Sequence, residues 1–286
     1  MKEGSNDNTL FTTEQCNNHC LMCCQPPHRV DDIDYWFERN LKIIEEAPEN
    51  LPCIGISGGE PTLLGDRLFE LIDIVRGKYP AAEIHLLSNG RTFKDASFAH
   101  RLKVAAGDKL VVGVPLHSDY FRDHDIIAGA KGAYYETMEG LYNLASEDIE
   151  IELRIVLTAL NVKRLPQMAD FIFKNLPFVS WVALMGLERT GLAIKNLNRI
   201  WAEPLDYTNE LQQAVLSLDA SGIEAVVYNI PLCLLPETLH PFAAQSISDW
   251  KVKYAPVCDG CAKKDQCCGL FATSNQMFNG LKPFSL

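Results

Sequence analysis

The chain has 286 residues, 47% of them hydrophobic and 22% charged, with a formal net charge of −11. That length and apolar content suit one large domain, or one domain with a small appendage, and exclude a globally disordered protein. The acidic balance argues against a generic nucleic-acid binder, because phosphate contacts need clustered Lys and Arg and no such cluster is seen.

No apolar run reaches the roughly 18–20 residues of a bilayer span. The polar start, Met1 to Asn8, lacks a signal-peptide pattern, so a cytoplasmic protein with no membrane partner is expected.

In chain order, Leu10–Thr13 reads as a short strand, and Asp34–Glu46 as a helix with Trp36, Phe37, Leu41 and Ile44 at helical spacing. Cys53–Ser57 is an apolar strand running into glycines. Asp66–Lys78 is a helix with Leu68, Leu71, Ile72 and Val75 on one face, and Glu83–Leu87 is a strand ending at Ser88-Asn89-Gly90. Helix Asp95–Ala105, strand Lys109–Leu116, helix Tyr134–Ala145, strand Ile149–Leu157, helix Leu165–Asn175 and strand Trp181–Leu187 follow. A long helix, Tyr207–Ser221, and a further strand, Glu224–Tyr228, close the series.

Six strand–helix pairs in succession predict an α/β fold with a parallel sheet and right-handed crossovers. Eight units would close a barrel, so six predict a partial (β/α)6 TIM-like open barrel, with functional loops after the strand C-termini. The expected division is a barrel domain over 1–228 and a cysteine-rich extension over 229–286.

Ten cysteines in a cytosolic protein point to metal or catalytic roles rather than disulfides. Four lie in Cys16–Cys24 and four in Cys258–Cys268, while Cys53 and Cys233 stand apart. The first group reads Cys16-Asn-Asn-His-Cys20-Leu-Met-Cys23-Cys24, a C-x3-C-x2-C spacing of soft thiolates suited to iron–sulfur clusters or zinc. Three ligands on one loop would leave one iron of a cubane open; zinc would want a fourth, which His19, Cys24 or His28 could supply. In the tail, Cys233, Cys258, Cys261 and Cys267 make a four-thiolate set able to fill a second cluster or a zinc site, with Cys268 as the spare. Cys53 is expected to pack as a small hydrophobe.

The C-x3-C-x2-C loop after a first strand, followed by Gly58-Gly59-Glu60-Pro61 after the second, resembles the paired signature of the radical S-adenosylmethionine (SAM) superfamily. The resemblance runs from about Leu10 to the C-terminus. It implies an oxidoreductase-type enzyme in which Cys16, Cys20 and Cys23 hold a [4Fe–4S] cluster, SAM chelates the open iron, and reductive cleavage yields a 5′-deoxyadenosyl radical that takes hydrogen from a substrate. It implies SAM contacts from Ser57, Gly58, Gly59, Glu60 and Pro61, with Glu60 accepting from the ammonium group. Ser88, Asn89, Ser118, Arg154 and Asn161 stand where relatives bind SAM, and Gly186 and Gly191 where adenine needs room.

Met22 occupies a place usually aromatic in the family, and it could pack on the adenine. The Asn89-Gly90 pair also reads as a plain turn. Arg154, inside an apolar strand, could pair with the SAM carboxylate or with Glu150, Glu152 or another acid. His117 could face the substrate or serve the structure.

The tail resembles auxiliary-cluster extensions of peptide-modifying radical SAM proteins, which implies a second [4Fe–4S] cluster. Thr13 to Pro27 and Gln245 to Lys251 read most like the HxsC maturase family of the His-Xaa-Ser system. That implies a small ribosomally made peptide as substrate, an external one-electron reductant such as flavodoxin or ferredoxin, and a second radical SAM protein as partner. Longer members carry an N-terminal extension that this chain is expected to lack. Alternatives are the same chemistry on a small metabolite or RNA, and a zinc-stapled binding module without catalysis.

Overall fold

In the computed structural model, residues 1–5, 7–245, 252–272 and 278–285 are described. Strands and helices run in the order β1 (Thr9–Phe11), α1 (Ile33–Glu46), β2 (Cys53–Ser57), α2 (Asp66–Lys78), β3 (Glu83–Leu87), α3 (Ala96–Ala106), β4 (Leu110–Pro115), α4 (Phe121–Ala128), α5 (Ala133–Ser146), β5 (Glu150–Leu157), α6 (Leu165–Asn175), β6 (Trp181–Gly186), α7 (Gly191–Ile200), α8 (Thr208–Ala220) and β7 (Glu224–Tyr228). The short strands β8 (Val252–Lys253) and β9 (Leu270–Phe271) pair antiparallel. Strands β1 to β7 form one sheet in sequence order, and the β1–β2, β2–β3, β3–β4 and β6–β7 pairs are parallel. Sequential parallel neighbours need a helical crossover each, which the alternating pattern supplies.

The chain divides into two compact units, Met1–His19 with Gln25–Pro115 and Ala128–Glu152, and Cys20–Cys24 with Leu116–Ile127 and Leu153–Leu286. In the first, Ile54 and Ile56 of β2 are fully buried while Cys53, Gly55 and Ser57 face the other side, the period-2 alternation of a strand. Helix α2 buries Leu68, Leu71, Ile72 and Val75 on one stripe. The Asp95 side chain caps α3 by accepting from Ser97 N at 2.9 Å. Helix α5 lies hard against the turn after β3: a Cβ at Gly140 would stand 2.1 Å from Gly90 O, so only glycine permits that approach.

In the second unit, α6 buries Leu165, Met168, Ala169 and Ile172, and α8 buries Leu211, Ala214, Val215 and Leu218. Helices α4 and α7, which the periodicity does not predict, both take part in one apolar cluster of Met22, Ile127, Leu187, Ala193 and Ile200. Residues 246–251, part of the stretch that carries the tail's resemblance, lie outside the described residues. No helix among the described residues is long and apolar enough to cross a membrane.

Candidate active site

The first unit brings the chain before Cys16 against the Gly58–Pro61 turn. Thr12 N donates to Ser57 O at 2.9 Å, Gly59 N to Thr13 O at 2.7 Å, and Glu60 N to Gln15 O at 2.8 Å. These bonds continue the parallel β1–β2 pairing beyond the strand ends. Gly59 is required by contact: a Cβ there would stand 2.1 Å from Gln15 O. Asp32 fixes the same segment from the other side, accepting from Thr13 Oγ1 at 2.6 Å and Glu14 N at 2.7 Å.

Glu60 is fully buried. Its Oε1 accepts from Thr62 N at 3.1 Å, Thr62 Oγ1 at 2.7 Å and Ser88 Oγ at 2.7 Å, and its Oε2 accepts from Asn89 N at 2.7 Å. Burial pushes the carboxyl pKa up, against the pull of these donors. The carboxyl thus ties the end of β2 to the end of β3. From there Asn89 Nδ2 reaches Asn17 Oδ1 at 2.5 Å and stands 3.9 Å from Cys16 Sγ. Cys16 Sγ also accepts from Asn18 N at 3.3 Å; burial pushes this thiol's pKa up, and the N–H contact pulls against it. Sequence reasoning placed Ser88 and Asn89 here as SAM contacts. It missed Thr62, Asp32 and Arg91, which complete the network; a polar residue soon after a strand end is the signal that could have found Thr62 and Arg91, and an acid just ahead of α1 the signal for Asp32.

The second unit carries Cys20, Met22, Cys23 and Cys24. Cys23 N donates to Cys20 O at 3.1 Å, Leu21 N to Ile127 O at 2.9 Å, and Leu192 N to Cys23 O at 2.8 Å. Met22 is buried in the apolar cluster, with Cys20 and Leu21 packed against it. Gly191 makes room for the Cys23 and Cys24 carbonyls, which a Cβ would meet at 2.4 and 2.6 Å. Gly186 makes room for Asn229 O in the same way.

After β4, Ser118 is fully buried, and its Oγ accepts from Tyr120 N at 3.1 Å. Asn161 uses both ends of its amide: Oδ1 accepts from Thr158 N at 2.8 Å, and Nδ2 donates to His117 O and Val156 O at 2.9 Å. Arg154 Nη2 stands 3.4 Å from Met185 Sδ. His117 is 3% exposed, and neither ring nitrogen has a hydrogen-bond partner. Burial, with His124 beside it, holds its pKa well below the usual histidine range.

The tail builds a small cavity of about 20 Å³ lined by Cys233, Cys258, Cys261 and Cys267, with Tyr254 and Phe284 among its walls. Among the described residues no three His, Cys, Asp or Glu side chains are drawn close enough together to hold a metal ion; the four tail cysteines form no disulfide and line the same cavity. Cys267 Sγ accepts from Leu232 N and Gly269 N at 3.4 Å, and Cys261 Sγ from Phe284 N at 3.3 Å. The Cys268 thiol, followed by the Gly269 and Leu232 N–H groups, pulls Cys267 down to about 6. Cys268 is itself buried, pushed up, and bonded to Gly269 O. Cys53 is pushed up to about 11 by burial and the nearby Glu83 carboxylate, the behaviour of a protonated packing thiol.

The radical SAM superfamily model matches residues 10–172. The chain belongs to the radical SAM superfamily. Family membership implies a [4Fe–4S] cluster and SAM, and the soft donors with N–H groups aimed at sulfur fit such a group. The chain is 31% identical over 163 residues, 56% of its own length, to "Fe-coproporphyrin III synthase" of Methanosarcina barkeri, of which it spans 39%.

Its radical SAM fold resembles Streptococcus suis SuiB bound to S-adenosylmethionine, with TM-score 0.62, 10% identity, and coverage of 86% of this chain and 54% of that one. SuiB bound to its precursor peptide SuiA matches with TM-score 0.59 at 11% identity, over 78% and 48% of the two chains. Native anSMEcpe with bound AdoMet matches with TM-score 0.60 at 20% identity, over 77% and 63%. The shared architecture is the α/β partial barrel predicted from the alternating pattern. The chain spans less than two thirds of the length of each of these proteins, from 39% to 63%.

Proposed function

We propose that the chain is a cytoplasmic peptide-modifying radical SAM enzyme in which Cys16, Cys20 and Cys23 hold the SAM-binding cluster, with the extension over 229–286 holding an auxiliary one. The observation that carries the first assignment is the C-x3-C-x2-C loop joined, through Gly59 N to Thr13 O and Glu60 N to Gln15 O, to the Gly58–Pro61 turn. When bound, the cluster and SAM together supply a 5′-deoxyadenosyl radical able to remove a substrate hydrogen. The chain's own part is placement. Glu60, Ser88 and Asn89 hold the turn that faces Cys16. Ser118 and the His117 ring, just after β4, and Arg154, within β5, are the polar groups that would meet the cofactor. Met22 and its cluster keep water from the Cys20–Cys23 segment.

Cys233, Cys258, Cys261 and Cys267 fit a site with every metal position filled by protein, because all four line one cavity while Cys268 is turned into the core. Such a site relays an electron or staples the extension. A peptide substrate is favoured because SuiB, whose fold this chain shares, is seen with its precursor peptide. The likeness of Thr13 to Pro27 and Gln245 to Lys251 to the HxsC family supports a His-Xaa-Ser peptide within that class, with a flavodoxin or ferredoxin as reductant and a second radical SAM protein as partner.

A small metabolite is the second reading, favoured by the 31% identity to a protein named for Fe-coproporphyrin III. Anaerobic incubation with reductant, SAM and either His-Xaa-Ser peptides or tetrapyrroles separates the two. A SAM-dependent mass change in the peptide supports the first reading, and a change only in the tetrapyrrole overturns it.

A further inference from the structure

Arg91, given no contact with cofactor or substrate in the reading above, touches the Cys16 loop directly. Its Nη1 donates to Asn17 O at 2.6 Å and to Asn18 Oδ1 at 2.8 Å, the two residues that follow Cys16. Its backbone N donates to Asn89 Oδ1 at 3.0 Å, and Asn89 stands against Cys16 Sγ. Behind it, Arg91 Nε donates to Glu136 Oε2 at 2.6 Å. The Arg91 side chain is only 15% exposed, so its charge is weakly screened.

The charge balance here is uneven. Glu136 is shared, because its Oε1 also accepts from Lys94 Nζ at 2.5 Å. At Glu136 two cations, Arg91 and the half-exposed Lys94, face one carboxylate, while the buried Glu60 carboxylate on the other side of Asn89 also bears on Cys16. Surface chemistry alone does not call for this: a half-buried guanidinium costs desolvation, and a second carboxylate would relieve it. The groups Arg91 reaches forward to are a carbonyl and an amide oxygen on the loop, which carry no charge.

We infer that Arg91, oriented by Glu136, is a positioning and redox-tuning residue for the cluster carried by the Cys16 loop, raising its reduction potential through the positive charge it holds against that loop. The inference rests on the cluster assignment proposed above. Reduction adds a negative charge to a cluster already bound by thiolates, so a nearby fixed cation favours the reduced form, and net charge is one of the levers that set iron–sulfur potentials. The guanidinium fork also fixes the loop, since its two forward bonds land on adjacent residues.

The test uses the reconstituted holoprotein. The midpoint potential is read from the EPR signal that changes shape on adding SAM, which separates this cluster from the auxiliary one. Arg91→Gln removes the cation, and the ratio of reduced to oxidised cluster at a fixed poise should fall about tenfold, or about 59 mV for one electron. Glu136→Gln removes the anion, and the ratio should move the opposite way. Arg91→Lys keeps the charge and should stay near wild type in potential, while losing iron faster to a chelator.

Opposite shifts in the two glutamine variants support the inference. Equal potentials, or shifts of one sign in both, overturn it while leaving the cluster assignment intact. A wild-type protein with no SAM-responsive signal removes the cluster assignment itself.

Discussion

Replacing Glu60 with Gln tests the clamp between the ends of β2 and β3. The side chain is fully buried, with three donors on Oε1 and one, Asn89 N at 2.7 Å, on Oε2. An amide has only one acceptor oxygen, which goes where three donors point. The NH2 group then meets Asn89 N, donor against donor. The loss is one hydrogen bond to a charged group, about 1.5–3 kcal/mol, plus an unsatisfied buried N–H, about 1–3 kcal/mol. Part of this is offset because a neutral amide is cheaper to bury than the carboxylate whose pKa burial pushes up. A net loss of about 2–4 kcal/mol remains, which lowers a urea midpoint by about 1 M for a slope near 3 kcal/mol/M. Urea unfolding of the metal-free protein under anaerobic conditions reads this directly. A midpoint that moves by less than about 0.3 M would refute the reasoning, because the four donors would then contribute nothing that an amide cannot match.

Three further outcomes follow from named contacts. Gly59→Ala forces a Cβ to within 2.1 Å of Gln15 O, so the backbone must part and break the Gly59–Thr13 and Glu60–Gln15 bonds. At about 1 kcal/mol each the cost is at least about 2 kcal/mol, with faster iron loss to a chelator; unchanged melting and iron retention would contradict it. His117 is neutral in the fold and its pKa is lowered, so its contribution is full above the unfolded value near 6.5 and is lost as pH falls below it, by up to about 1.36 kcal/mol per unit. Comparing the pH dependence of unfolding between wild type and His117→Gln from pH 7 to pH 5 should show a flatter curve in the variant. Cys261→Ala should lose about half the bound iron by colorimetric assay while retaining SAM cleavage, consistent with a second four-thiolate cluster; full iron content would show the tail to be no cluster site.

Much of the fold was legible because its signals are local. The bounds of β2, α2, β3, α6 and β7 match the pattern of apolar residues to the residue. Helix α4 was not seen because Phe121-Arg-Asp-His-Asp offers five residues with one apolar position, and its burial comes through Ile127. Helix α7 was hidden by Gly191, which reads as a spacer but starts the helix at φ +52°, packed against the Cys23 and Cys24 carbonyls.

Motifs were legible as spacing; roles within them were not. Sequence alone cannot distinguish a polar group that meets a cofactor from one that braces a loop. Asn161 stands where relatives bind SAM, yet it ties the β4 end to the β5 end with both sides of its amide. Arg91 and Glu136 are 45 residues apart, and only the fold joins them. What distinguishes Cys267 from Cys268 likewise comes only from the fold: Cys268 is buried, while two N–H groups point at Cys267 Sγ.

The central claim is that Cys16, Cys20 and Cys23 hold an iron–sulfur cluster on which SAM is cleaved. Metal analysis and product detection on oxygen-protected wild type and Cys20→Ala test it most directly. The account predicts iron and sulfide with 5′-deoxyadenosine from the wild type, and no 5′-deoxyadenosine from a folded Cys20→Ala protein. Zinc without iron at that loop, or 5′-deoxyadenosine from the variant, would contradict it.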